Sequence, residues 1–184
     1  MISISQKNCF WSLNTFFPSS LERTSVTEAL TDSRWRDAMS SKLTALMRHN
    51  TWQLVPPPND CNIVGCKWVF QIKRHDDGSV DRFKARLVAK GFNQRPRLDY
   101  KEKFSHVVKP VTVRTVLTFV VMQDWSLRQL DVNNAFLHGH LTKKVYMKQP
   151  PGFRSPEKPY HVYCLTKAIY GLKQAPRAWY SALK

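Results

Sequence analysis

The 184 residues suit one ordinary domain, and a hydrophobic content of 42% with 12% aromatics excludes wholesale disorder. Lys and Arg number 29 against 13 Asp and Glu, a formal charge of +16. That excess points to a polyanionic partner, nucleic acid first and an anionic membrane surface second, with a solvated basic surface as the plain alternative. No apolar run reaches membrane-span length: the longest, residues 116–122, is interrupted by Thr118.

Residues 1–24 are Ser-rich and acid-poor and lack a clear secretory pattern; they are too poor in Arg for a convincing organellar presequence, and read as an irregular leader. Helical signals begin at Ser25. Ser25 and Glu28 form a capping-box pattern, and Asp32 offers a second start. Trp35, Ala38, Met39, Leu43 and Leu46 then recur at helical spacing and predict one apolar face. Residues 52–55 read as a short strand stopped by Pro56, Pro57 and Pro58.

A hairpin follows. Residues 67–73 alternate as a strand, Asp77-Gly78 is a turn, and residues 80–89 return. Period two sets Phe83, Ala85, Leu87 and Ala89 on one face and Arg82, Lys84, Arg86 and Lys90 on the other. A row of cations suits a triphosphate or a nucleic-acid backbone; a solvated strand face is the other reading. Residues 91–109 are loop-like. Residues 112–125 have Val113, Val116, Leu117, Val120 and Val121 at helical spacing, with Thr112 as a cap.

Residues 127–132 alternate and predict a short strand that ends at Asp131, with Asn133 and Asn134 turning the chain. A carboxylate at a strand end open to a cleft suits a metal ligand; it also suits a residue that merely starts a turn. Short strands at 145–147 and 161–165 and a terminal helix opened by Pro176 complete the pattern. Helices and strands in this order predict an α+β fold. Cys9, Cys61, Cys66 and Cys164 are expected as free thiols in a reducing compartment, since no Cys/His set has metal spacing. His138 and His140 read as surface histidines on a turn.

Four blocks carry more than their local structure: Arg82-Phe-Lys-Ala-Arg-Leu-Val-Ala-Lys-Gly-Phe92, Arg128-Gln-Leu-Asp-Val-Asn-Asn-Ala-Phe-Leu-His-Gly139, Tyr146-Met-Lys-Gln-Pro-Pro-Gly-Phe153 and Ala168-Ile-Tyr-Gly-Leu-Lys-Gln-Ala-Pro-Arg-Ala-Trp-Tyr180. In this order and spacing, from about Ser25 to the end of the chain, the sequence resembles the reverse transcriptase (RNA-directed DNA polymerase) of copia-type long-terminal-repeat retrotransposons. The resemblance implies a right-hand polymerase with a helix before the fingers, a fingers hairpin and an incomplete palm sheet. It makes Asp131 the first catalytic aspartate, and Asp131 with the Val132 carbonyl the metal ligands for Mg²⁺ or Mn²⁺. It assigns Lys84, Arg86 and Lys90 to the phosphates of an incoming dNTP, and Phe136 to the steric gate against a ribose 2′-hydroxyl. Lys173 and Gln174 would lie beside the nucleotide base and the template, and the partners would be an RNA/DNA template-primer and dNTP, without a membrane. Phe136 taken alone is equally a core residue. The chain departs from the family pattern at Lys42, where an acid is usual, at Arg97, where Gly is usual, and at Lys103, His106, His140, Lys143 and Lys144. A residue with a Cβ is strained at position 97 if its φ is positive.

Asp131 is the last Asp, and Glu157 is the only later acid. The second aspartate pair implied by the resemblance is therefore absent, since Asp76-Asp77 sits at the hairpin turn. Residues 25–184 are expected to be a partial reverse transcriptase domain, truncated before the Asp-Asp box. The expected function is that of an inactive relic of the polymerase. The alternatives are a basic, nonspecific nucleic-acid-binding module without catalysis, and an enzyme whose site is completed by another chain that carries the missing palm segment.

Overall fold

The structure, a computed structural model, describes residues 25–104, 108–128 and 131–184. The expected leader, His106 and the centre of the expected strand before Asp131 lie outside the described residues.

Both helix starts read from the sequence are used. The Ser25 hydroxyl accepts the Glu28 N–H at 3.2 Å and opens α1 (Val26–Thr31). The Asp32 carboxylate accepts the Arg34 N–H at 3.0 Å and opens α2 (Ser33–Arg48). Burial on α2 falls on Trp35, Met39, Leu43 and Leu46, the stripe that a 3.6-residue period predicts. The Trp35 indole is edge-on to Phe70 at 5.1 Å and to Phe83 at 4.8 Å. Those rings belong to β3 (Cys66–Arg74) and β4 (Val80–Ala89), an antiparallel two-stranded sheet, so α2 is seated on the hairpin. At the hairpin tip Gly78 has φ +85°, and Asp77 accepts the Ser79 hydroxyl at 2.6 Å and its N–H at 2.8 Å. These bonds hold the Asp77 carboxyl below the ordinary carboxylate range and make it a turn residue.

A four-stranded sheet has the order β1 (Trp52–Val55), β6 (Val162–Lys167), β5 (His140–Met147), β2 (Ile63–Val64). The pair β2–β5 is parallel and the others are antiparallel. Two glycines join this sheet to the hairpin. The Ala89 N–H donates to the Tyr170 carbonyl at 2.8 Å. A Cβ on Gly171, whose φ is +90°, would lie 2.1 Å from the Ala89 carbonyl oxygen, and one on Gly91 would lie 2.0 Å from the Gly171 oxygen. Only hydrogens fit between these backbones. The buried Gln94 amide completes the joint: it accepts the Lys173 N–H at 2.9 Å and donates to the Gln174 side chain at 3.0 Å. The terminal helix α4 (Ala175–Ala182) follows directly.

Two expectations need correction. The helix at 112–125 is α3, Pro110–Met122; it opens at Pro110, not at a Thr112 cap, because proline's missing N–H is no loss in a first turn. No residue of α3 is buried, and Val111, Val121 and Met122 are largely exposed. Asp131 and its described neighbours are coil, not strand. An extended segment needs a neighbouring ladder to satisfy its backbone, and Leu127, Arg128, Asp131 and Val132 belong to neither described sheet.

Arg97 does take the left-handed conformation, with φ +66°. Its carbonyl is held by the Lys143 ammonium, which also donates to the Leu98 carbonyl at 3.0 Å. A Cβ in this region costs about 1 kcal/mol or slightly more. Arg97→Gly is therefore expected to raise stability by about 1 kcal/mol, read as a higher urea midpoint at unchanged slope.

Candidate functional site

The α2 face beside its buried stripe carries Ala38, Ser41 and Ala45, small residues at helical spacing that leave room between α2 and β4. Along β4, Ala85, Leu87 and Ala89 are buried, while Lys84 and Arg86 alternate to the half-buried side. Residues 131–134 and Tyr170 close the space. The result is a cavity of about 540 Å³ lined by Lys42, Arg82, Lys84, Arg86, Asp131 and Asn134 among others.

Its side chains are fixed by hydrogen bonds that cross between elements. Arg86 Nη1 donates to Gln71 Oε1 at 2.9 Å, diagonally across the hairpin. Lys42 Nζ donates to Asn134 Oδ1 at 2.7 Å and so ties α2 to the turn after Asp131, where Asn134 has φ +53°. Burial lowers the Lys84 pKa, as do Arg86, Arg82 and Lys73; the Asp131 carboxylate opposes them, which places it within electrostatic reach of Lys84. Lys42 is lowered by burial first and then by Lys84 and Arg86. The cavity is a concentrated positive field with one carboxylate at its rim.

Residues 49–184 match the family of the reverse transcriptase (RNA-dependent DNA polymerase). The chain belongs to the reverse transcriptase family. It is 53% identical over 182 residues to the retrovirus-related Pol polyprotein from transposon RE1 of Arabidopsis thaliana, covering 98% of this chain and 12% of that protein. It is 46% identical over 143 residues to the Pol polyprotein from transposon TNT 1-94 of Nicotiana tabacum, covering 78% of this chain and 11% of that protein. An uncharacterized mitochondrial protein of Arabidopsis thaliana is 49% identical over 114 residues, 62% of this chain and 67% of that protein. No solved structure matches. The copia-type resemblance read from the motif order holds. The RE1 match takes in nearly the whole chain, so the likeness enters the first 24 residues, which the motifs alone had left outside it.

Within this reverse transcriptase chain, Asp131, Val132, Lys84 and Arg86 share the cavity. Lys90 does not. Strand β4 ends at Ala89 and Lys90 turns off with ψ 62°, so its side chain lines a separate cavity of about 430 Å³ with Cys66, Lys148 and Arg154. Phe136 sits in the 3-10 helix Ala135–His138, partly buried against the core, its ring edge-on to the cavity residue Tyr170 at 4.8 Å. Lys173 and Gln174 face the 94–100 segment: Lys173 Nζ donates to the Gln94 carbonyl at 2.9 Å and lies 5.5 Å from the centre of the Tyr100 ring. Sequence reasoning missed Lys42, Asn134 and Tyr170. The signal for Lys42 was its place between Ser41 and Ala45 on the small-residue face.

The family generally uses divalent metal ions. The residues here do not fit one. Among the described residues no group of three or more His, Cys, Asp or Glu could hold a metal ion, and Asp131 is the one carboxylate lining a cavity that carries four side-chain cations. A dication would meet repulsion from Lys42, Arg82, Lys84 and Arg86 and find too few anionic oxygens. His138 lies against the rings of His49 and Trp179. Cys61, Cys66 and Cys164 are free thiols; burial pushes the Cys66 thiol up to about 11, against the pull of Lys90, so it is no nucleophile at neutral pH. No helix among the described residues is long and apolar enough to cross a membrane.

Proposed function

We propose that residues 25–184 supply the fingers and the first part of the palm of a reverse transcriptase, and that the cavity between α2 and β4 takes the phosphates of the incoming dNTP. The observation that carries this reading is the meeting of Asp131 with Lys84 and Arg86 in one cavity, from segments far apart in sequence. In it, the β3–β4 hairpin and α2 are the fingers, and the four-stranded sheet with the Asp131 turn belongs to the palm. Asp131 is the first palm carboxylate. Phe136 acts as the sugar gate, backed by Tyr170. Lys173 and Gln174 hold the 94–100 segment in place on the base and template side. The template-primer is the second ligand. On this reading the chain by itself does not complete a catalytic site, because among the described residues Asp131 is the one carboxylate that lines the cavity.

The alternative, a nucleic-acid-binding module without catalysis, is favoured by one observation: Lys90, Lys148 and Arg154 form a second cationic cavity apart from the first. Salt dependence separates the two. Removing one phosphate-binding cation flattens the slope of log affinity against log salt by roughly 0.9 for duplex DNA. Fluorescence anisotropy of a labelled primer-template is expected to give the same slope for the unmodified chain and for Lys84→Ala/Arg86→Ala, since those side chains serve the nucleotide. A slope flattened by about two units in the double variant would assign them to the nucleic-acid surface and favour the module.

A further inference from the structure

Lys42 lines the cavity from α2 and Lys84 and Arg86 line it from β4, and the Lys42 side chain is half-buried. An ammonium has three N–H donors. One goes to Asn134 Oδ1 at 2.7 Å; among the described residues no carboxylate pairs with it. A partly desolvated charge beside two others of the same sign is costly unless an anion meets it. The four lining cations outnumber the single lining carboxylate, Asp131, by three. A polyphosphate carries enough charge to balance that excess and enough oxygens to engage both walls, and the cavity falls in the size range of small-ligand sites.

We propose that Lys42 is a direct phosphate ligand which, with Lys84 and Arg86, lets this cavity hold a polyphosphate through side-chain cations alone, without a divalent ion. The proposal rests on reading the cavity as the nucleotide's phosphate site and adds a residue and a metal independence that this reading does not require. Lys42 clamps from the helix side; Lys84 and Arg86 clamp from the strand. The Asn134 bond anchors the ammonium at the cavity, so less side-chain freedom remains to be lost on binding. The Lys42 pKa is lowered by burial first and by Lys84 and Arg86 after it, and an anion at this place would offset each of these.

The experiment is calorimetric titration of the full chain with inorganic tripolyphosphate in EDTA. The unmodified chain is expected to bind. Lys42→Gln, which removes the charge and leaves a neutral N–H donor on a side chain one bond shorter, should bind about tenfold more weakly, and Lys42→Arg should restore most of the loss. Asn134→Gly, which removes the tether and suits the left-handed backbone there, should keep affinity within a factor of about three. Four results would overturn the proposal. Lys42→Gln at full affinity, with Lys84→Ala/Arg86→Ala weakened, removes Lys42 and leaves the cavity reading intact. A loss in Asn134→Gly as large as in Lys42→Gln makes the lysine a structural tie. No binding by the unmodified chain in EDTA ends the proposal and leaves the cavity reading standing, whereas full affinity in the Lys84/Arg86 double variant ends both.

Discussion

The 184-residue chain on its own is expected to extend no primer on an RNA template, with Mg²⁺ or with Mn²⁺. Nucleotidyl transfer of this kind needs charge stabilised on both the attacking and the leaving oxygen, and two-metal sites do so with ions held by several carboxylates. Among the described residues Asp131 is the one carboxylate on the cavity, and no cluster of them could complete a metal site. Asp76 and Asp77 cannot help, for they belong to the hairpin tip, where Asp77 is spent on Ser79. The cations remain, and cations bind a triphosphate without activating a 3′-hydroxyl. Product is therefore expected at background, identical for the unmodified chain and for Asp131→Asn. Extension that disappears in Asp131→Asn would show a site completed by groups outside this account.

The second large effect is structural. Gly171→Ala is expected to cost about 4 kcal/mol or more, a large share of the roughly 5–15 kcal/mol that holds a domain folded. The new methyl would need a left-handed backbone at φ +90° and would stand 2.1 Å from the Ala89 carbonyl oxygen. Neither side can yield: Ala89 ends β4, and its N–H is bonded to the Tyr170 carbonyl. The joint links the strand that carries Lys84 and Arg86 to Tyr170 of the cavity, so loss of nucleotide affinity should accompany the lowered melting temperature. Gly78→Ala is the control. Gly78 also has positive φ, but a Cβ there meets nothing within 4 Å, so only the conformational cost applies.

What was legible in the sequence was local. Ser25 and Asp32 announce helix starts through side chains that bond the next turn, and the alternation from Val80 to Ala89 fixes a strand whose bounds the structure reproduces. The order of four motifs was enough for the family. What was not legible depends on partners far away. Strand β2 has two residues, too few for a period, and exists because β5 passes beside it. Lys90 continues the even spacing of the cations, yet spacing cannot say that the strand stops one residue earlier. Asp131 closes an alternating run, but alternation makes a strand only where a neighbouring ladder is offered. Lys42 looks like a solvated helix residue until β4 is packed against α2. The site is thus half legible: Asp131, Lys84 and Arg86 from motif and period, Lys42 only through its place on the small-residue face of α2, and Asn134 and Tyr170 from tertiary packing.

The central claim is that the cavity between α2 and β4 binds the triphosphate of a nucleotide. Its most direct measurement is a titration of the chain with a deoxynucleoside triphosphate and with the matching monophosphate, for the unmodified protein and for Lys84→Ala/Arg86→Ala. Each charge-assisted hydrogen bond is worth roughly 1.5–3 kcal/mol. The account predicts a triphosphate bound about a hundredfold more tightly than the monophosphate, with most of that advantage gone in the double variant. Equal affinity for the two nucleotides, or an advantage undiminished by the loss of both side chains, would contradict it.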